Sequence, residues 1–105
     1  MHHLYAVADF CLIPIGTGES SVAEYIAECQ RVLQKSGLTY KVEGPWTQVS
    51  QAIHDCHAAV HAKGAPRIAT DIRIGTRTDR EIAEGEGNEG KVKRVEEILN
   101  KDFLA

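Results

Sequence analysis

Three carboxylates, a group of arginines and one indole carry most of the chemistry open to this chain. The clearest pattern is the run from Arg67 to Asp79. On a β-strand successive side chains point to opposite faces. Ile68, Thr70, Ile72 and Ile74 therefore share one face, and Arg67, Ala69, Asp71, Arg73 and, past Gly75, Arg77 share the other. A carboxylate between arginines at two-residue spacing is either a solvated face with a cross-strand ion pair or part of a site for a polar ligand. Asp9 poses the same choice. It interrupts a strand that is otherwise apolar on both faces, so its charge must be paired or solvated. An Arg73 or Arg77 partner makes it structural; an amine-bearing ligand makes it functional. Trp46, beside Glu43 and the Gly44-Pro45 turn, is either a packing residue at a helix start or a flat stacking surface. An indole near Glu43, Asp9 and Asp71 would suit a planar, cationic heteroaromatic ligand.

The remaining polar residues point less far. His54, His57 and His61 recur at spacings of three and four on a helix, which places His54 and His61 on one flank and His57 nearer the core. A metal would need a converging carboxylate or thiolate, but Asp55 points elsewhere and Cys56 falls in the apolar stripe. No metal site is expected. Cys11, Cys29 and Cys56 form no C-x-x-C pair and occupy apolar positions, which reads as packing. Gly85-x-Gly87-x-x-Gly90 matches the dinucleotide-binding pattern, yet it follows no strand, and Glu84, Glu86 and Glu89 would repel phosphates. No nucleophile–base–acid set is legible, and no serine sits in a G-x-S-x-G elbow. An enzyme would have to use His57 or His61; no catalytic residue is expected.

These residues must be positioned by a small set of elements. Leu4 to Ile15 reads as a strand with Leu4, Ala6, Ala8, Phe10 and Leu12 on one face and Tyr5, Val7, Asp9, Cys11 and Ile13 on the other. Two apolar faces suggest cover on both sides, and a chain this small would draw the second cover from a partner subunit. Ser21-x-x-Glu24 fits a capping box ahead of a helix with a Val22, Ile26, Cys29, Leu33 stripe, flanked by Tyr25 and Val32 and stopped at Gly37. Leu38 to Glu43 reads as a short strand. A second helix follows, with Thr47 as its cap and Val49, Ile53, Cys56 and Val60 buried; it ends near Gly64, before Pro66. After the Arg67 strand, Glu81 to Gly90 reads as a mobile loop, and Lys91 to about Lys101 as a last helix with Val92, Val95, Ile98 and Leu99 on its apolar face.

The 105 residues suit one domain, 1–105. The net charge of −3, with basic residues scattered, argues against nucleic-acid or membrane-surface partners. The longest apolar run, Ala6 to Ile15, is broken by Asp9 and Pro14 and is too short to span a bilayer. His2 and His3 are uninformative. With no secretory pattern at the N-terminus, a cytoplasmic protein is expected.

Four motifs in order resemble one family: Ala8-Asp9-Phe-Cys-Leu-Ile-Pro14-Ile-Gly16-Thr, Glu43-Gly-Pro-Trp46, Cys56-His57 with His61, and Thr70-Asp71-Ile-Arg73-Ile-Gly75-Thr-Arg-Thr-Asp79. Together they are similar to the small thiamine-binding proteins of the YkoF-like superfamily, in its single-domain archaeal, bacterial and fungal branch. The resemblance implies an α+β, ferredoxin-like βαββαβ sandwich: an antiparallel sheet with helices on one face and an extra C-terminal helix. It also implies self-association to a dimer and tetramer through strand pairing and sheet-on-sheet packing. The implied role is that of a carrier or sensor of thiamine or a hydroxymethylpyrimidine fragment, without catalysis or a further cofactor. The ligand-facing positions it implies are Asp9, Ser20, Ser21, Glu43, Trp46, Asp71 and Arg73. One departure stands out. Similar proteins have a longer stretch before the counterpart of Glu43, which supplies a strand and a hairpin. Here Leu38 to Glu43 is six residues, about 20 Å if extended and enough for one strand only. Either about ten residues are missing from this region, a length that would serve one more strand and its turn, or the fold has lost a strand and part of the ligand pocket with it; the first is expected.

Overall fold

A computed structural model describes residues 4–38, 42–83 and 85–104. His2, His3 and residues 39–41 of the strand expected over 38–43 lie outside them. The elements are β1 (Tyr5–Ile15), α1 (Ala23–Ser36), β2 (Glu43–Pro45), α2 (Trp46–Ala62), β3 (Arg67–Thr76) and α3 (Glu86–Leu104). The sheet runs β2-β1-β3, and both pairings are antiparallel. This is the ferredoxin-like α+β order. The three strands take the places of the third, first and fourth strands of a βαββαβ unit. The second strand has no counterpart among the described residues.

β1 is the central strand, and its alternation decides which side is which. Ala6, Ala8 and Leu12 are buried, with Phe10 packed beside them. α1 and α2 cover that side. The α2 stripe lies as expected: Val49, Ile53, Cys56 and Val60 are buried together with Ala52. Fully burying one such aliphatic side chain contributes about 1.5–3 kcal/mol. The helix begins at Trp46, however, with Pro45 as the preceding residue and no side-chain cap, so Thr47 is not the cap.

The α1 stripe is turned relative to expectation. Tyr25, Cys29 and Leu33 are buried, one turn apart, while Val22 and Ile26 are exposed. Helix α1 must pack on α2 as well as on the sheet, and the Cys56 thiol reaches the Cys29 carbonyl at 3.8 Å. That contact rotates the buried face toward Tyr25. The Ser21–Glu24 capping box does not form; Ser21 Oγ accepts from the Ala23 amide at 3.3 Å, and Val22 occupies the cap position. Gly37 ends the helix at φ 79°, as a left-handed stop requires.

Among the described residues, Val42 is the one non-glycine with positive φ, at 40°. A β-branched residue is disfavoured there. Its side chain is buried and its carbonyl accepts the Ala8 amide at 3.0 Å. The ladder then begins only at Glu43, which is the residue where the expected strand was to end.

On β3, Ile68 and Ile74 pack against the core, and Thr70 meets His57 Nε2 at 2.7 Å. Ile72 is 47% exposed, because β3 is an edge strand that the two helices cover incompletely. The largest departure is α3. It starts at Glu86, inside the stretch expected as a loop, and runs to Leu104. Gly87 is its one buried residue, and Val92, Val95, Ile98 and Leu99 are exposed. The apolar stripe is present, but within one chain nothing covers it.

Candidate functional site

The second face of the sheet carries the candidate chemistry. Val7 sits opposite Gly75, Asp9 opposite Arg73, Cys11 opposite Asp71, Ile13 opposite Ala69 and Ile15 opposite Arg67. Beyond its Val7 end this face is open: Asp9, Cys11, Ile13, Asp71 and Arg73 are all exposed. Asp9 and Arg73 are thus cross-strand neighbours, yet they form no ion pair. Arg77 is engaged elsewhere, since its Nε donates to Asp79 Oδ1 at 2.6 Å and its Nη2 to Oδ2. This two-point contact holds the Asp79 carboxyl down at a pKa of about 2. Neither arginine therefore neutralises Asp9.

Among the described residues Glu43 is the buried carboxylate, 6% exposed. It pairs with Val7 across β2–β1 and so faces the same side as Asp9. Its Oε2 accepts from Tyr5 Oη at 2.6 Å and from the Gly87 amide at 2.8 Å, and its Oε1 from the Asn88 amide at 3.3 Å. The Gly85 amide in turn donates to Tyr5 Oη at 2.8 Å. The first amides of a helix have no partner within the helix, and a carboxylate at that end is favoured by the helix dipole. Glu43 supplies both from 44 residues away in sequence. The approach requires glycine: a Cβ on Gly87 would lie 2.5 Å from Val7 Cγ2 and 2.7 Å from Glu43 Oε2. The Gly85-x-Gly87-x-x-Gly90 run is therefore a docking turn.

With α3 seated this way, a groove of about 790 Å³ opens beside it. Its floor is Val7, Asp9, Arg73 and Gly75; one wall is the loop over residues 77–83, the other the first turns of α3 through Lys91 and Arg94. Of the seven expected ligand positions, Asp9 and Arg73 line it. Glu43 lies at its end beneath Gly87, and Trp46, 42% exposed, follows β2 at the same end of the sheet. Asp71 lies one step further along the open face. Ser20 and Ser21 stand beyond the other end of β1, six or more strand residues from Asp9 and thus about 20 Å away. The structure brings Asp9, Glu43, Asp71 and Arg73 to one face of the sheet; it leaves Trp46, whose amide bonds the Leu4 carbonyl five strand residues from Asp9, and the two serines apart from Asp9. Sequence reasoning missed Tyr5, Gly87, Arg80, Lys91 and Arg94, all of which depend on where α3 docks.

The histidines have structural partners. His57 holds Thr70, His61 Nδ1 lies 2.8 Å from the Ala65 carbonyl, and His54 Nδ1 lies 2.9 Å from Asp55. Among the described residues no three His, Cys, Asp or Glu side chains gather as a metal site would require. No helix among them is long and apolar enough to cross a membrane.

Residues 8–96 match the model of a family described as thiamine-binding protein. The chain belongs to that family. A UPF0045 protein of Synechocystis sp. is 45% identical over 100 residues, covering 89% of this chain and 78% of the relative. One of Bacillus subtilis is 34% identical, covering 90% of this chain and 97% of the relative. A third, from Staphylococcus xylosus, pairs over 106 residues yet takes in only 90% of this 105-residue chain, about 95 residues. That relative thus has about ten residues without a counterpart in this chain. Among solved structures, the hypothetical protein MJ1052 of Methanocaldococcus jannascii superposes with a TM-score of 0.68 at 25% identity, over 92% of this chain and 99% of that one. A domain of unknown function from Bacillus cereus superposes at 0.65 and 21% identity, over 81% and 86%. Both support the family fold.

Proposed function

We propose that this member of the family binds thiamine or a hydroxymethylpyrimidine-type fragment of it, as a carrier or sensor without catalysis. The observation that carries this reading is Asp9, a carboxylate left without an ion-pair partner on the floor of the groove. An unpaired carboxylate beside a groove of ligand size suits an amine or a cationic ring. Trp46, half-exposed beside Leu4 and outside the groove, offers a separate face on which a heteroaromatic ring could stack. Arg73 stands across from Asp9 on β3. Three free thiols agree with a cytoplasmic setting. Calorimetric titration tests the reading: thiamine binds, and Asp9→Asn weakens it about tenfold or more, a loss of about 1.4 kcal/mol. An unchanged affinity in the variant refutes the assignment of Asp9.

A second reading is favoured by a different observation. Ile13 and Ile15 on the open sheet face, and Val92, Val95, Ile98 and Leu99 on α3, are all at least 37% exposed. Apolar surface of this kind marks association. We infer that copies of the chain cover these surfaces in a dimer or tetramer, either to complete the ligand site or as a structural or regulatory assembly without a ligand.

A further inference from the structure

The groove has more positive charge than a cationic ring alone would call for. Arg73, Arg80, Lys91 and Arg94 line it, and none forms an ion pair among the described residues. Arg77 and Asp79 of the groove are bound to each other, and Glu86 is bound at 3.3 Å by Lys93, which lies outside the lining. Asp9 and Glu81 remain as unpaired carboxylates against four unpaired cations. This excess arises in a chain whose net charge is −3, so it is local to the groove. The cations are also spread along it. Arg73 stands on the floor beside Asp9, Arg80 on the loop wall, and Lys91 and Arg94, three residues apart on one helix flank, on the α3 wall.

We propose that this groove takes the phosphate tail of a phosphorylated ligand whose cationic ring is held by Asp9. The ligand class is then a phosphate or diphosphate ester of thiamine or of its aminopyrimidine. This rests on the thiamine reading above for the ring and on the groove's own charges for the tail. Guanidinium groups match phosphate oxygens with paired N–H donors, and the lysine adds a point charge. Asp9 on the floor and Arg80, Lys91 and Arg94 on the two walls offer such a zwitterion partners for both of its charges. A volume of about 790 Å³ accommodates a molecule of that size.

The test is calorimetric titration of the full chain with thiamine, thiamine diphosphate and inorganic pyrophosphate, each in wild type and in an Arg80→Ala/Arg94→Ala double variant. Both arginines are exposed, and circular dichroism verifies that the variant keeps its fold. The expected result is that thiamine diphosphate binds about tenfold tighter than thiamine, that pyrophosphate binds alone, and that the variant loses both effects while keeping its thiamine affinity. Equal affinity for thiamine and its diphosphate overturns the proposal and leaves the thiamine reading intact, as does a diphosphate advantage that survives in the variant. Pyrophosphate binding that the variant loses, with no binding of thiamine, upholds the anion groove and refutes the thiamine reading. No binding of any of the three refutes both.

Discussion

Replacing Glu43 with alanine should unseat the first turn of α3. Three hydrogen bonds end on this carboxylate, from Tyr5 Oη and from the Gly87 and Asn88 amides. Bonds to a charged group contribute about 1.5–3 kcal/mol each, and removing one partner leaves the others unsatisfied. The Asn88 contact at 3.3 Å is long, and part of the gain is offset by desolvating the carboxylate in the native protein. A net loss of about 2–4 kcal/mol follows, borne mainly by α3, because Gly87 is its one buried residue. Amide hydrogen exchange is the direct assay, since it resolves local opening. Exchange at Gly87 and Asn88 should accelerate about 30- to 1000-fold at 1.4 kcal/mol per decade, while amides in the β1–β3 ladder change far less. Gly87→Ala should reproduce the effect through the clash of its Cβ with Val7 and Glu43. Because both changes break one contact, the double variant should open no further than the worse single variant. Unchanged exchange in Glu43→Ala, or full additivity in the double variant, would refute the docking.

Two further predictions concern titration and thiol chemistry. The Asp79 carboxyl, held at about 2 by Arg77 against an ordinary 3.8, should titrate there by NMR and return toward the ordinary value in Arg77→Gln. Its folded-state pKa is depressed, so the contribution of this pair is present above the ordinary carboxylate range and is lost as the pH falls from about 4 toward 2. The pair is solvent-exposed, so its loss should relax the loop over residues 77–83 rather than unfold the chain. Among the thiols, exposed Cys11 should label rapidly in dilute protein and slowly at concentrations where copies associate. Cys29 and Cys56 should resist until unfolding, with Cys56 further protected because its contact with Cys29 and its burial both raise its pKa. A Cys11 labelling rate independent of concentration would show that its face stays uncovered.

Much of this protein was legible in the sequence because much of it is local. Period-2 alternation placed the faces of β1 and β3, and the 3.6-residue stripe of α2 named its buried residues, since each pattern is set by geometry within a single element. The ordered motifs around Asp9, Trp46, His57 and Asp71 were enough to indicate the family. Tertiary structure decided what two elements settle jointly. The α1 stripe turned toward Tyr25 because the helix had a second neighbour in α2. The acidic, glycine-rich run after Glu81 reads as a loop by composition, yet from Glu86 it is helix, because a carboxylate 44 residues earlier satisfies its first amides and glycine allows the approach. That docking also assembles the groove: Arg80, Lys91 and Arg94 are scattered charges in the sequence and become neighbours of Asp9 only when α3 is seated on β1 and β2. No periodicity encodes a contact of that separation, and its energy lies in a buried carboxylate whose partners come from the far end of the chain.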